Sequence, residues 1–246
     1  MLNELLLVGI EMNPGPVLKQ QPRRPRHAKR LILGLNIGLV NARSAVNKAV
    51  ELHAVIHDNR LDILIVIETW LQPDMPNAIA SDIAPPGFKV IDKPRPDGCR
   101  SSGVAVVYAD NLKVTAVTNP ISPTSFELRT VRLVNTGEHF VITGVYRPPS
   151  TSVEVFFDKL ADLFDATASS GGHIVQAGDF YCPGSSSETI DDRLSALLSC
   201  YNMVTVNNGA THMVGETFSI SSSSLMNGVA YHLLPLHQLV SWIILS

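Results

Sequence analysis

Asn41, Glu68, Tyr146 and Asp179 each stand where an apolar run gives way to a polar turn. Asn41 opens Asn41-Ala42-Arg43-Ser44, and Glu68 opens Glu68-Thr69-Trp70-Leu71. Tyr146 opens Tyr146-Arg147-Pro148-Pro149, and Asp179 lies in Gly178-Asp179-Phe180-Tyr181-Cys182-Pro183-Gly184. A carboxylate at the end of a buried strand, on a glycine-punctuated loop, suits metal-assisted phosphodiester chemistry. Each residue alone is a weak signal. A strand-end Glu is commonly solvated, and a strand-end Asn commonly forms a turn. The force of the pattern is in the four together and in this order.

These residues need strands to carry them. Leu31 to Asn41 and Leu61 to Ile67 read as buried strands, and His173 to Ala177 as another. Val104 to Tyr108, Lys113 to Val117, Phe126 to Val134 and Phe140 to Val145 read as further strands, several of them alternating. Ala45 to Asp58 has Val46, Ala49, Val50 and Ala54 at helical spacing. Val153 to Ala166 is expected to be an amphipathic helix burying Val155, Phe156, Leu160, Leu163 and Phe164, and Ile190 to Cys200 a further helix. This order implies an α/β sandwich, in which polar strand ends are the places for chemistry.

The 246 residues suit one large α/β domain or two small ones. The net charge of −3 is unevenly placed. Residues 12 to 50 have no Asp or Glu, and Lys19, Arg23, Arg24, Arg26, Lys29 and Arg30 cluster around Pro22 and Pro25. Residues 19–30 therefore read as a disordered basic linker, also suited to touching phosphates without sequence preference. The 3 cysteines are too few and too scattered for a disulfide framework, and no Cys/His spacing suggests zinc. Leu5 to Ile10 is short, with no basic residue before it, and makes a poor signal peptide. Val229 to Leu245 is apolar but carries His232, Pro235, His237 and Gln238, and fits paired core strands better than a bilayer helix. No membrane partner is expected. No charged residue follows Glu216, so a degenerate or truncated C-terminal end is expected.

The strand-end words resemble the endonuclease/exonuclease/phosphatase superfamily, with its DNase I-like fold. They resemble more closely the apurinic-type endonuclease domain of LINE-type (non-LTR) retrotransposons. The words are Leu39-Val40-Asn41-Ala42-Arg43-Ser44, Asp62-Ile63-Leu64 running to Glu68-Thr69-Trp70-Leu71, Gly103-Val104-Ala105-Val106, Tyr146-Arg147-Pro148-Pro149, Ala177-Gly178-Asp179-Phe180 and Thr211-His212, within about residues 31 to 220. The resemblance implies a four-layer α/β sandwich of two packed mixed β-sheets flanked by helices, over residues 31–246. It implies an Mg²⁺-dependent cut in DNA, with Mn²⁺ as a possible substitute, that leaves a 3′-OH for the element's reverse transcriptase. Neither that enzyme nor the element RNA is encoded here, and the nucleus is the implied place of action. Glu68 would be the main metal ligand, with Asn41 in support, and Asp179 would activate the attacking water. Tyr146 would hydrogen-bond a phosphate oxygen, Arg43 and Arg147 would contact substrate, and His232 is the candidate for the family's transition-state histidine.

The chain departs from that pattern in its second half. Tyr181 stands where the family has an Asn that contacts the reacting phosphate. Ser219 stands where it has an Asp that supports the histidine, and Ala230-Tyr231-His232 replaces its closing Ser-Asp-His. Impaired catalysis is therefore expected, because one lost preorganised donor costs about 10²–10³ in rate. At the front, Leu5-Leu6-Leu7 with Gly9-Ile10-Glu11-Met12-Asn13-Pro14-Gly15-Pro16 resembles a viral 2A-type ribosome-skipping peptide within residues 1–18. Three readings stand: an active nicking endonuclease, a non-catalytic remnant that still binds DNA nonspecifically, and a relative acting on small phosphate esters such as phosphoinositides.

Overall fold

The computed structural model describes residues 34–93, 102–118, 121–135, 137–180, 188–205, 222–226, 229–236 and 241–245. The N-terminal peptide, the basic linker, Tyr181, Thr211-His212 and Ser219 lie outside the described residues.

Strands β1 (Gly34–Asn41), β2 (Ile63–Ile67), β3 (Phe88–Lys93) and β4 (Val104–Ala109) join β10 (Ser222–Met226) and β11 (Val229–Leu236) in a 6-stranded sheet ordered β10-β11-β1-β2-β4-β3. Strands β5 (Lys113–Ala116), β6 (Glu127–Asn135), β7 (Glu138–Tyr146) and β8 (His173–Asp179) join β9 (Met203–Thr205) and β12 (Ser241–Leu245) in a second, ordered β5-β6-β7-β8-β12-β9. Both sheets are mixed: β1 pairs parallel with β2 and β7 parallel with β8, while β2 pairs antiparallel with β4 and β6 antiparallel with β7.

Period-two alternation in these strands builds the layers. Leu35, Ile37 and Leu39 of β1 turn to the inter-sheet core, where Val131, Ile142 and Val175 of the second sheet meet them. The opposite faces take the helices. Leu52 and Ile56 of α1 (Ala49–Asp58) pack on Leu64 and Val66 of β2, with Ile83 just beyond α2 (Asn77–Asp82) in the same cluster. Phe156, Leu160 and Phe164 of α3 (Val153–Ala168) pack on Val141 and Val145, together with Leu194 and Leu198 of α4 (Glu188–Cys200). Each such fully buried side chain contributes about 1.5–3 kcal/mol relative to exposure. The result is the four-layer α/β sandwich the motifs imply.

Local details differ from the periodic reading. Helix α1 buries Leu52 and Ile56, and Val50 is 77% exposed. The i, i+4 pair that faces β2 is Leu52 and Ile56, and Val50 falls on the other side of the helix. Val155 is likewise an exposed residue of α3, and its neighbour Phe157 is buried instead. The apolar C-terminal stretch forms two strands, as expected, but they enter different sheets, β11 beside β1 and β12 beside β8. No helix among the described residues is long and apolar enough to cross a membrane.

Candidate active site

Parallel pairing makes the C-terminal ends of β1 and β2 coincide, since Asn41 is in register with Ile67, the residue before Glu68. In the second sheet the parallel β7–β8 pair sets Tyr146 opposite Asp179. The sheets pack so that these two edges meet, and the Tyr146 hydroxyl donates to the Glu68 carboxylate.

The Glu68 turn is held in an uncommon backbone shape. Arg43 (φ 43°), Ser44 (φ 85°), Glu68 (φ 52°) and Trp70 (φ 57°) all adopt left-handed conformations. A non-glycine residue in a sparsely populated region costs on the order of 1–3 kcal/mol and persists only when its surroundings over-determine it. Here they do. Ser44 N–H donates to Glu68 O at 2.8 Å, Ala45 N–H to Thr69 O at 2.8 Å, and Trp70 N–H to Ser102 O at 2.7 Å. Gly103 (φ 104°) closes the arrangement, and a Cβ there would fall on the Thr69 hydroxyl. The Lys48 ammonium donates to the carbonyls of Ala42 (2.6 Å) and Arg43 (3.3 Å), fixing the loop from the helix side.

That loop sets the Asn41 amide. Arg43 N–H donates to Asn41 Oδ1 at 3.0 Å, which turns Nδ2 toward Glu68 Oε1 at 2.6 Å. Asn41 therefore holds the carboxylate through its NH₂. Glu68 receives donors from both sheets, Asn41 from one and Tyr146 from the other. Tyr146 and Asp179 are each 6% exposed, and Arg43 lies open to solvent.

Burial pushes the Tyr146 phenol well above its ordinary 10.0; the charges of Glu68 and Asp179, the hydrogen bond to Glu68 and the charge of Glu127 act in the same direction. The folded protein thus holds this proton more tightly than the unfolded chain. The associated stability is fully present below about pH 10 and is lost as pH rises toward the folded value. Tyr146→Phe is therefore expected to flatten the fall of the urea midpoint above pH 10, and an alkaline limb identical to wild type would count against the assignment.

Glu127 is a site residue that the strand pattern alone did not reveal. Its carboxylate accepts Gly103 N–H, tying the second sheet to the loop beside Glu68, and it stands opposite Tyr146. One signal was available. The Asn135–Glu138 pair closes the β6–β7 hairpin, and counting back along both strands from it reaches Glu127 and Tyr146. Lys48 was also missed, because a lysine among the polar positions of the expected helix Ala45 to Asp58 reads as a solvated charge.

Two expected site residues are placed differently from the sequence reading. The Arg147 side chain is 2% exposed, and its guanidinium donates to main-chain carbonyls of Phe180 and Thr151. His232 pairs with Asn36 because β11 runs parallel to β1 in a register that sets Leu236 beside Val40. Five residues of strand, about 16 Å, separate Asn36 from Asn41, so His232 does not join the other site residues. Its partner in the sequence reading, Tyr231, pairs with Leu35.

The donor set suits a hard divalent cation. No group of three or more His, Cys, Asp or Glu gathers among the described residues, and Glu68 is the carboxylate that the Asn41 amide meets. Mg²⁺ keeps several waters and is commonly held by one or two carboxylates, so such a set fits it.

Two mixed sheets packed face to face between helices, with an amide, carboxylates and a phenol gathered at one edge, define a DNase I-like α/β sandwich. A family model described as "Endonuclease/Exonuclease/phosphatase family" matches residues 33–229, and the chain belongs to that family. No curated protein sequence matches it. Among solved structures it is similar to the endonuclease domain of TRAS1, a telomere-specific non-LTR retrotransposon (TM-score 0.54, 13% identity, 85% of this chain and 83% of that one). It is also similar to the AP endonuclease LMAP from Leishmania major (TM-score 0.55, 15% identity, 87% of this chain and 78% of that one). A third is D. rerio TDP2 with a single-strand DNA product (TM-score 0.54, 8% identity, 85% of this chain and 83% of that one). At these identities the likeness is one of fold.

Proposed function

We propose that this chain is the metal-dependent DNA-nicking endonuclease domain of a non-LTR retrotransposon, hydrolysing a phosphodiester to leave a 3′-OH. The observation that carries the reading is the Asn41–Glu68–Tyr146 hydrogen-bond chain across the two sheets, with Asp179 in register beside Tyr146. Glu68 would hold Mg²⁺ or Mn²⁺, and Asn41 keeps that carboxylate aimed. The bound cation supplies charge neutralisation at the scissile phosphate. Asp179 orients the attacking water and takes its proton. Tyr146, kept protonated by its surroundings, would turn its one O–H from Glu68 to a phosphate oxygen. Arg43, exposed beside the carboxylate, binds the DNA backbone. The nick would then prime reverse transcription of the element RNA, in the nucleus.

Catalysis is impaired in this copy on the same reading. Tyr181 replaces an amide two residues past Asp179, and the register of His232 favours the second reading, a non-catalytic remnant that binds DNA nonspecifically. Plasmid nicking in Mg²⁺ separates the two. Weak nicking that rises about 10²-fold in Tyr181→Asn is the expected result. No nicking by either protein would leave the remnant as the better account.

A further inference from the structure

Arg147 directly follows Tyr146, and a cation in that position reads as a phosphate ligand. The structure uses it otherwise. Its backbone N–H donates to Asp179 O at 2.9 Å, extending the β7–β8 ladder one step past the last strand pair. Its Nη1 donates to Phe180 O at 3.2 Å and its Nη2 to Thr151 O at 2.8 Å. The guanidinium carbon lies 4.9 Å from the centre of the Phe156 ring on α3, and Phe156 and Phe180 pack together with ring centres 6.3 Å apart. One side chain thus joins the end of β7, the loop that carries Asp179 and the turn leading into α3.

We propose that Arg147 is a positioning residue that holds the Tyr146 and Asp179 strand ends together, rather than a cation that contacts the nucleic-acid phosphate. A planar fork can serve two fixed carbonyls at once, which a lysine ammonium on a flexible stem does not do. Reaching a phosphate would require this 2%-exposed side chain to leave its ring contact and abandon both carbonyls. Buried carbonyls without donors are costly, so the position is stable. The bearing of this role on catalysis rests on the nuclease reading. The positioning itself does not.

The test is amide hydrogen exchange on the full chain, which needs no activity. Arg147→Met should speed exchange about tenfold in peptides covering 145–152 and 174–180, and leave those covering β1 and β2 unchanged. Arg147→Lys keeps the charge but loses the fork, and should give a smaller increase in the same peptides. It also carries the test if the Met variant fails to fold. Binding to a duplex oligonucleotide across a salt titration should keep the wild-type slope. A slope shallower by about one, the signature of a lost phosphate contact, would overturn the proposal. So would unchanged exchange near Asp179, or exchange that rises equally throughout both sheets. If the wild type does not bind the duplex, exchange alone decides.

Discussion

Glu68→Gln is expected to lower Mg²⁺-dependent plasmid nicking by about 10²–10³-fold or more, with little change in thermal stability. The substitution preserves shape and most of the local bonding. The Gln side-chain oxygen can still accept from Asn41 Nδ2. What disappears is the negative charge, and with it the anchor for a divalent cation. The same charge helps raise the Tyr146 phenol, so its proton should also be held less tightly in the variant. A parallel reaction with chelator should match the variant. Wild-type nicking by Glu68→Gln would remove Glu68 from the mechanism.

The second large effect is expected at Gly178. A Cβ there would fall on the main-chain carbonyl of Val145, its partner in the β7–β8 ladder. A side chain in the way could rotate aside, but a strand carbonyl cannot, so the two strands must separate locally. The pair that follows is Tyr146 with Asp179, so the separation falls at the site. Overpacking of this kind costs about 1–3 kcal/mol and sometimes more. At about 2–4 °C per kcal/mol for a domain of this size, the melting temperature of Gly178→Ala should fall by several degrees. Nicking should fall with it, because Asp179 loses its place relative to Tyr146. A variant with the wild-type melting temperature and wild-type nicking would show that the strand contact is looser than described.

The elements most legible in the chain are those buried on both faces. Ile63 to Ile67 and His173 to Asp179 are buried at every position, and their continuous or nearly continuous apolar runs mark them as strands without further context. The helix α2 and the strand β3 passed unnoticed for the opposite reason. Helix α2 is 6 residues long and buries none of them. Strand β3 is a sheet edge whose run, Phe88-Lys89-Val90-Ile91-Asp92-Lys93, mixes charges with apolar residues. Val50 shows a further limit. Helical spacing identified a periodic set, but which face of the helix met β2 was decided by packing, which buried Leu52 and Ile56.

The same distinction governs the site. Asn41, Glu68, Tyr146 and Asp179 were legible as strand ends, because an apolar run that stops at a polar residue is a local property of the chain. Their encounter is not local. Asn41 and Glu68 are 27 residues apart, and Tyr146 reaches Glu68 only because the two sheets pack with those edges together. Glu127 joined them through hairpin register, and the Arg147 guanidinium meets the Phe180 and Thr151 carbonyls and the Phe156 ring of α3. His232 has the right chemistry for a phosphodiester site, yet the pairing of β11 with β1 sets it opposite Asn36. Residue types and periodicity thus specify which groups end each strand. Strand order, register and the packing of the sheets set the distances between those groups, because side chains tens of residues apart meet only through long-range pairing.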